Sequence, residues 1–248
     1  MKRVTNMTEG SPLKLILLFA IPLIFTNLGQ QLYMIVDASI VGRGVGVKAL
    51  AAVGATDWSY WLILWTITGV TQGFGVFVFR YFGKQEYDKM NRSITMSTIL
   101  CAIIGVILTL AGVLAAKPLL ILLETPADIL DGAVTYLTTM VAGTLVVIAY
   151  NMAAAILRAF GDGRSPLVAM LIAGLLNVGL DLLFVLVFHW GIFGAAIATV
   201  TAQLVSFIYC LIKISKIEYV KLTKADWTPD GKLLKELLLL DRKSTRLN

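Results

Sequence analysis

Charged side chains are absent from long intervals of this chain, and those intervals set its architecture. None falls between Lys14 and Asp37, Asp57 and Arg80, Arg92 and Lys117, or Asp131 and Arg158. From Ser165 to Ile212 the only full charge is Asp181, and the run breaks at His189-Trp190-Gly191. About 20 apolar residues at 1.5 Å rise cross a hydrocarbon layer roughly 30 Å thick. The pattern therefore predicts six spans, at 13–36, 56–80, 94–116, 132–157, 166–188 and 191–212. Lipid gives free backbone N–H and C=O groups no partner, and the runs lack the two-residue alternation of a membrane barrel. The expected fold is all-α: a polytopic membrane protein with a six-helix bundle.

Composition agrees. Hydrophobic residues make up 58% of the chain and charged residues 15%, and the mean hydropathy is +0.84. Soluble domains carry about 25% charged residues. The net charge of +6 would fit nucleic acid, but its distribution makes it a topology signal. Lys2, Arg3 and Lys14 precede the first span. Arg80, Lys84, Lys89 and Arg92 follow the second, Arg158 and Arg164 the fourth, and Lys213, Lys216, Lys221 and Lys224 the sixth. The opposite side has only Arg43, Lys48 and Lys117. The excess of basic residues places the N-terminus and the segment after span six in the cytoplasm, with no nucleic-acid partner. The first apolar run is too long for a signal peptide and is expected to stay as a span. Cys101 and Cys210 fall inside spans and read as packing residues.

Punctuation refines the division into residues 1–12 (cytoplasmic N-terminus), 13–212 (transmembrane lobe), 213–240 (cytoplasmic connection with an amphipathic helix) and 241–248. Ser11-Pro12, Ser165-Pro166 and Thr228-Pro229 each place a capping hydroxyl before a proline at a helix start. Pro22 sits inside span one and bends it, either as a static kink or as a hinge. Trp58, Trp61 and Trp190 mark the outer boundary. Gly69 and Gly73 are spaced for close helix packing. The leucines up to Leu240 resemble the start of a seventh span that Asp241-Arg242-Lys243 halts. That pattern is expected either from a truncated sequence with a foreign tail or from a natural end with an interfacial helix.

Charge inside a span is costly, about 2.5–3.5 kcal/mol on insertion scales, so an intramembrane acid points to function. Asp181 lies about 23 Å along span five, in the outer third, and Asn177 is one turn earlier on the same face. They form either a cation-facing pair or a structural polar cluster. In span one, Asn27, Gln30, Tyr33 and Asp37 share a helical face. Asp37 alone would equally suit a solvated helix end, but it matches Asp181 in depth. Two carboxylates in one poorly solvated recess cannot both ionise freely, so the pair suits H⁺ or Na⁺. Thr199 is a candidate additional oxygen, although hydroxyls in membrane helices usually bond their own backbone. Gln72 could line a cavity. His189 has no second ligand, so no metal site is expected. No Walker loop, zinc spacing or nucleophile–base set appears, so neither an ATP-driven pump nor an enzyme is expected, and no cofactor beyond a coupling ion.

Several segments together resemble the bacterial multidrug and toxic-compound extrusion (MATE) family. They are Gly10-Ser11-Pro12 with Pro22, Gln30-Gln31-Leu32-Tyr33, Val36-Asp37, Val41-Gly42-Arg43 and Ala49-Leu50-Ala51-Ala52-Val53-Gly54. The match continues through Leu157-Arg158-Ala159-Phe160-Gly161-Asp162, Ser165-Pro166, Asn177 with Asp181, and Gly191, Gly194-Ala195-Ala196 and Ala198-Thr199. The resemblance covers residues 8 to 240. It implies a twelve-helix antiporter of two six-helix lobes, of which this chain is the first lobe and a C-terminal lobe is missing. It further implies that Asp37, Asp181, Asn177, Tyr33 and Thr199 form the cation-linked site, that the first helix bends at Pro22, and that the partners are small molecules and the inner-membrane bilayer. Export of amphipathic drugs against H⁺ or Na⁺ is the expected function. The alternatives are a related flippase for lipid-linked precursors, or a half that is inactive without its second lobe.

Overall fold

The computed structural model describes residues 35–228 and 231–238. Helix α1 is described over 35–44. The other helices are α2 (Val47–Gly83), α3 (Tyr87–Leu122), α4 (Ala127–Ala142), α5 (Thr144–Ala159), α6 (Arg164–Asp181) with a π-helical continuation Leu182–Val187, α7 (Gly191–Ile214) and α8 (Gly231–Leu238). Most of the first predicted span, with Pro22, lies outside the described residues. The other five spans correspond to helices α2, α3, the α4–α5 pair, α6 with its π-helical end, and α7.

The helices outrun the spans that charge spacing marked. Helix α2 has 37 residues and α3 has 36, so each is about 55 Å long against a hydrocarbon core of roughly 30 Å. A charged residue ends the lipid-embedded part of a helix without ending its hydrogen bonding, and helix α2 accordingly begins at Val47, well before Asp57. The surface shows which solvent these helices need. Trp58 is 86% exposed, Leu175 80% and Leu122 78%. Apolar exposure on this scale is a liability in water and suits lipid.

The α4–α5 pair runs through the middle of the bundle. It packs against α2 and α3 on one side and against α7 on the other, while α6 lies mainly on α7. The pair bends by 45° where Gly143 joins the two helices. The uncharged run had suggested one continuous helix there. Gly143 is needed for close approach, because a Cβ at that position would run into the side chain of Val200 on α7.

Helix packing elsewhere rests on small residues. The buried stripe of α6 is Ser165, Pro166, Ala169, Ala173, Asn177 and Asp181. On α7 the stripe is Gly194, Ala198, Ala202, Ser206 and Cys210. These short side chains let the two backbones approach closely. Ser206 Oγ donates to the Ala169 carbonyl at 2.7 Å across the seam.

The structure corrects two local readings. Gly69 lines a cavity, and the close contact of α2 is made instead by Gly75, where an added Cβ would lie 3.2 Å from Ala155 Cβ on α5. The start of α6 is served by the Asp162 carboxylate rather than by the Ser165 hydroxyl. It accepts from the N–H groups of Ser165 and Arg164 at 2.9 and 3.2 Å. Aspartate has two acceptor oxygens and sits one turn earlier, where the free N–H groups point. Thr228 Oγ1 donates back to the Ala225 carbonyl.

Gly143→Ala is expected to cost about 1–3 kcal/mol, the usual range for overpacking. Apparent melting temperature in detergent should fall, and adding Val200→Ala should recover most of the loss. Asp162→Ala should cost about 1 kcal/mol, typical of a lost cap. Partial burial pushes the Asp162 carboxyl up, but its hydrogen bonds from Ser165 and Arg164 outweigh this and hold it below the usual carboxylate range. A carboxyl lowered on folding stabilises above its unfolded pKa and loses that contribution as pH falls through the folded value. The wild-type advantage over Asp162→Ala should therefore be full near neutrality and vanish only in strong acid.

Candidate functional site

Two oily helices place a carboxyl each at the same point. Asp181 closes the small-residue stripe of α6 and is fully buried. Asp37 lies on α1 and is half-buried. Their side chains hydrogen-bond to one another. An arrangement on opposite sides of the bundle, or one pointing into lipid, is thereby excluded.

Asn177 is 1% exposed, one turn before Asp181. Its Nδ2 donates to Thr199 Oγ1 at 3.3 Å, and Thr199 Oγ1 in turn donates to the Ala195 carbonyl at 3.2 Å. Thr199 thus bonds its own backbone, as a membrane hydroxyl does, and also receives the amide. Immediately after Asp181 the helix widens into π turns, with the Phe188 N–H reaching the Leu183 carbonyl. Such widened turns recur at functional positions.

Below the acids lies a cavity of about 1120 Å³. Its apolar wall includes Trp61, Trp65, Leu64 and Leu171. Its polar groups are Thr68 and Gln72 of α2, Tyr150 and Asn151 of α5, Asn177 of α6, and Thr199 and Gln203 of α7. No charged residue lines it among the described residues. Asn177 and Thr199 belong to both the carboxyl cluster and the cavity wall, so the two share a boundary. Gln72 lines the cavity. Tyr33, Asn27 and Gln30 lie outside the described residues.

Sequence reasoning missed two contributors. Gln203 is one turn beyond Thr199, a four-residue spacing that could have revealed it. Asn151 is an amide within span four, visible as the polar exception in an apolar run. Among the described residues, no group of three or more His, Cys, Asp or Glu side chains could hold a metal ion.

A membrane-helix lobe with a row of polar groups along a large open cavity fits a polytopic membrane transporter. The chain belongs to the MatE family, whose profile matches residues 22–183. This is a family of transporters and not of enzymes. The chain is 31% identical over 211 residues to the probable multidrug resistance protein YpnP of Bacillus subtilis, covering 85% of this chain and 47% of that one. It is 26% identical over 226 residues to the probable multidrug resistance protein NorM of Thermotoga maritima, covering 88% and 48%. A crystal structure of MATE in the bent conformation superposes with a TM-score of 0.79 at 28% identity, covering 92% of this chain and 51% of that one. A MOP superfamily transporter from Pyrococcus furiosus, described as having a binding pocket of reverse polarity, gives 0.79 at 27% identity over 96% and 53%. The chain therefore spans about half the length of the relatives it matches.

Thr199→Val should remove the acceptor of the Asn177 amide and lower stability by about 0.6 to 1.7 kcal/mol, the range for interhelical hydrogen bonds in membranes. Thr199→Ser should retain wild-type stability. Thermal unfolding in detergent distinguishes the two variants.

Proposed function

We propose that this chain is the cation-responsive lobe of an antiporter that exports amphipathic organic molecules in exchange for H⁺ or Na⁺. The observation that carries the reading is the hydrogen-bonded contact of Asp37 with Asp181 beside a large uncharged cavity. Two carboxyls in poor solvent hold one proton or one metal cation between them far more readily than they hold two bare charges. Asn177 and Thr199 position the pair, and Tyr33 joins them on its four-residue spacing from Asp37. Asn27, Gln30 and Gln72 contribute to the cavity, and Pro22 supplies the bend in the first helix.

Coupling follows from differential binding. A cation at the carboxyl pair favours one arrangement of the helices and the substrate favours another, so each shifts the population seen by the other. The cavity wall shares Asn177 and Thr199 with the cation cluster, which gives the two ligands a common set of side chains. Transport requires a second lobe of similar size. The N-terminus and the connection after α7 face the cytoplasm of the cell membrane. The uncharged lining favours organic molecules over phosphate-bearing lipid precursors, which would need basic groups.

The test is driven efflux from proteoliposomes, comparing this chain alone with a form that carries a second lobe. The two-lobe form should export a fluorescent organic cation when H⁺ or Na⁺ is supplied outside, and Asp181→Asn should reduce export to that of protein-free vesicles. The chain alone should show no flux. Full driven export by Asp181→Asn would remove the carboxyl pair from the mechanism. On the single lobe, the coupling cation should raise the melting temperature, with about 2.7 kcal/mol expected at a hundredfold excess over its dissociation constant. That shift should disappear in Asp37→Asn/Asp181→Asn.

A further inference from the structure

The segment after α7 is pinned to the end of the bundle. Tyr219 stacks on Tyr87 with ring centroids 4.9 Å apart and packs edge-on to Phe82 at 5.8 Å. Seven residues later, the Asp226 carboxylate accepts from the N–H and the hydroxyl of Thr223, closing the short turn Lys224–Trp227. The Asp226 carbonyl accepts from Thr95 Oγ1 of α3 at 2.5 Å. The residues between these anchors are held in place, and they turn Lys221, Leu222, Lys224 and Trp227 outward. Leu222 and Trp227 are 43% and 45% exposed.

Three of the carboxylates described on this face are already engaged. Glu86 pairs with Lys89 at 2.8 Å, Asp162 accepts from the start of α6, and Asp226 is held by Thr223. Asp88 and Glu218 remain. Against them, Arg80, Lys84, Arg164, Lys216, Lys221 and Lys224 form no ion pair among the described residues. An excess of unpaired cations next to exposed leucine and tryptophan matches a bilayer boundary, where apolar rings lie at headgroup level and ammonium groups meet phosphates.

We infer that residues 219–227 form a preformed docking surface for anionic phospholipid headgroups, with Lys221 and Lys224 contacting phosphate and Leu222 and Trp227 entering the headgroup layer. Because the segment is already folded onto α3, lipid binding does not bear the cost of ordering it. The inference uses the cytoplasmic orientation proposed above only to say which leaflet is engaged, and it is independent of cation coupling.

The test titrates phosphatidylglycerol or phosphatidylcholine into the purified full chain in neutral detergent, with bound lipid counted by native mass spectrometry. Phosphatidylglycerol should bind in preference, and 0.5 M NaCl should weaken it. A basic residue near a charged surface contributes about fivefold in affinity, so Lys221→Gln/Lys224→Gln should weaken binding roughly 25-fold. Lys48→Gln/Lys117→Gln, on the opposite face, should leave binding unchanged. Trp227→Ala should weaken phosphatidylglycerol binding while leaving its salt dependence intact. Gel filtration establishes that each variant remains folded. Equal binding of the two lipids, undiminished binding by Lys221→Gln/Lys224→Gln, or full competition by glycerol phosphate, which lacks acyl chains, would each overturn the proposal.

Discussion

A fully buried carboxyl on an apolar helix is the constraint around which this lobe is organised. Asp181 can persist inside a membrane bundle only where other polar groups meet it, because lipid provides none. The structure meets that demand from another helix, with the Asp37 carboxyl, and places the Asn177–Thr199 hydrogen bond one turn away. For Asn177 to reach Thr199, α6 and α7 must run close together. The short side chains of the two facing stripes make this possible. The small-residue seam and the polar cluster are thus one design: the first brings the backbones together, and the second uses the proximity.

What the sequence revealed depended on how each feature was encoded. Spans were legible because lipid excludes charge along some twenty residues, a one-dimensional rule needing no knowledge of neighbours. The pairing of Asp37 with Asp181 was legible from their similar depth, since two costly groups at one level have few other solutions. Helix ends were less legible. Charge spacing located the hydrocarbon layer, while the hydrogen bonding of α2 and α3 continued well past it. The 45° bend at Gly143 was not visible in the uncharged run, and neither was the close contact of Gly143 with Val200, which lies on a different helix. The same limit explains Gly69 and Gly75: both are glycines on α2, and only the position of α5 shows which one is packed.

Local competition explains the cap at α6. Ser165 before Pro166 has the form of a capping hydroxyl, yet Asp162 offers a better acceptor to the same free N–H groups. Thr228 Oγ1 donates to the carbonyl of the preceding turn. Hydroxyls that bond backward to their own chain are common throughout this bundle, as at Thr71 and Thr98. A serine or threonine in such a sequence is therefore weak evidence of a cap, and an aspartate stronger.

Rigidity is distributed unevenly along the lobe, in a way that fits a site requiring adjustment. Toward the end that carries the connection, large side chains such as Phe74, Met90, Ile94 and Leu157 are fully or nearly buried together, and Leu237 of α8 joins them. Aromatic stacking among Phe82, Tyr87 and Tyr219 adds to that end. Toward the carboxyls the buried side chains are mostly alanine and valine, with Val41, Ala49, Val185 and Ala195 in one cluster and Ala52, Ala116, Ala133 and Val141 in another beside Leu120 and Leu137, and α6 passes into π turns. Close packing resists intermediate positions, so a dense end moves as a unit and a sparse, widened end absorbs the change. Asp37 and Asp181 meet at the end built from the smaller buried side chains.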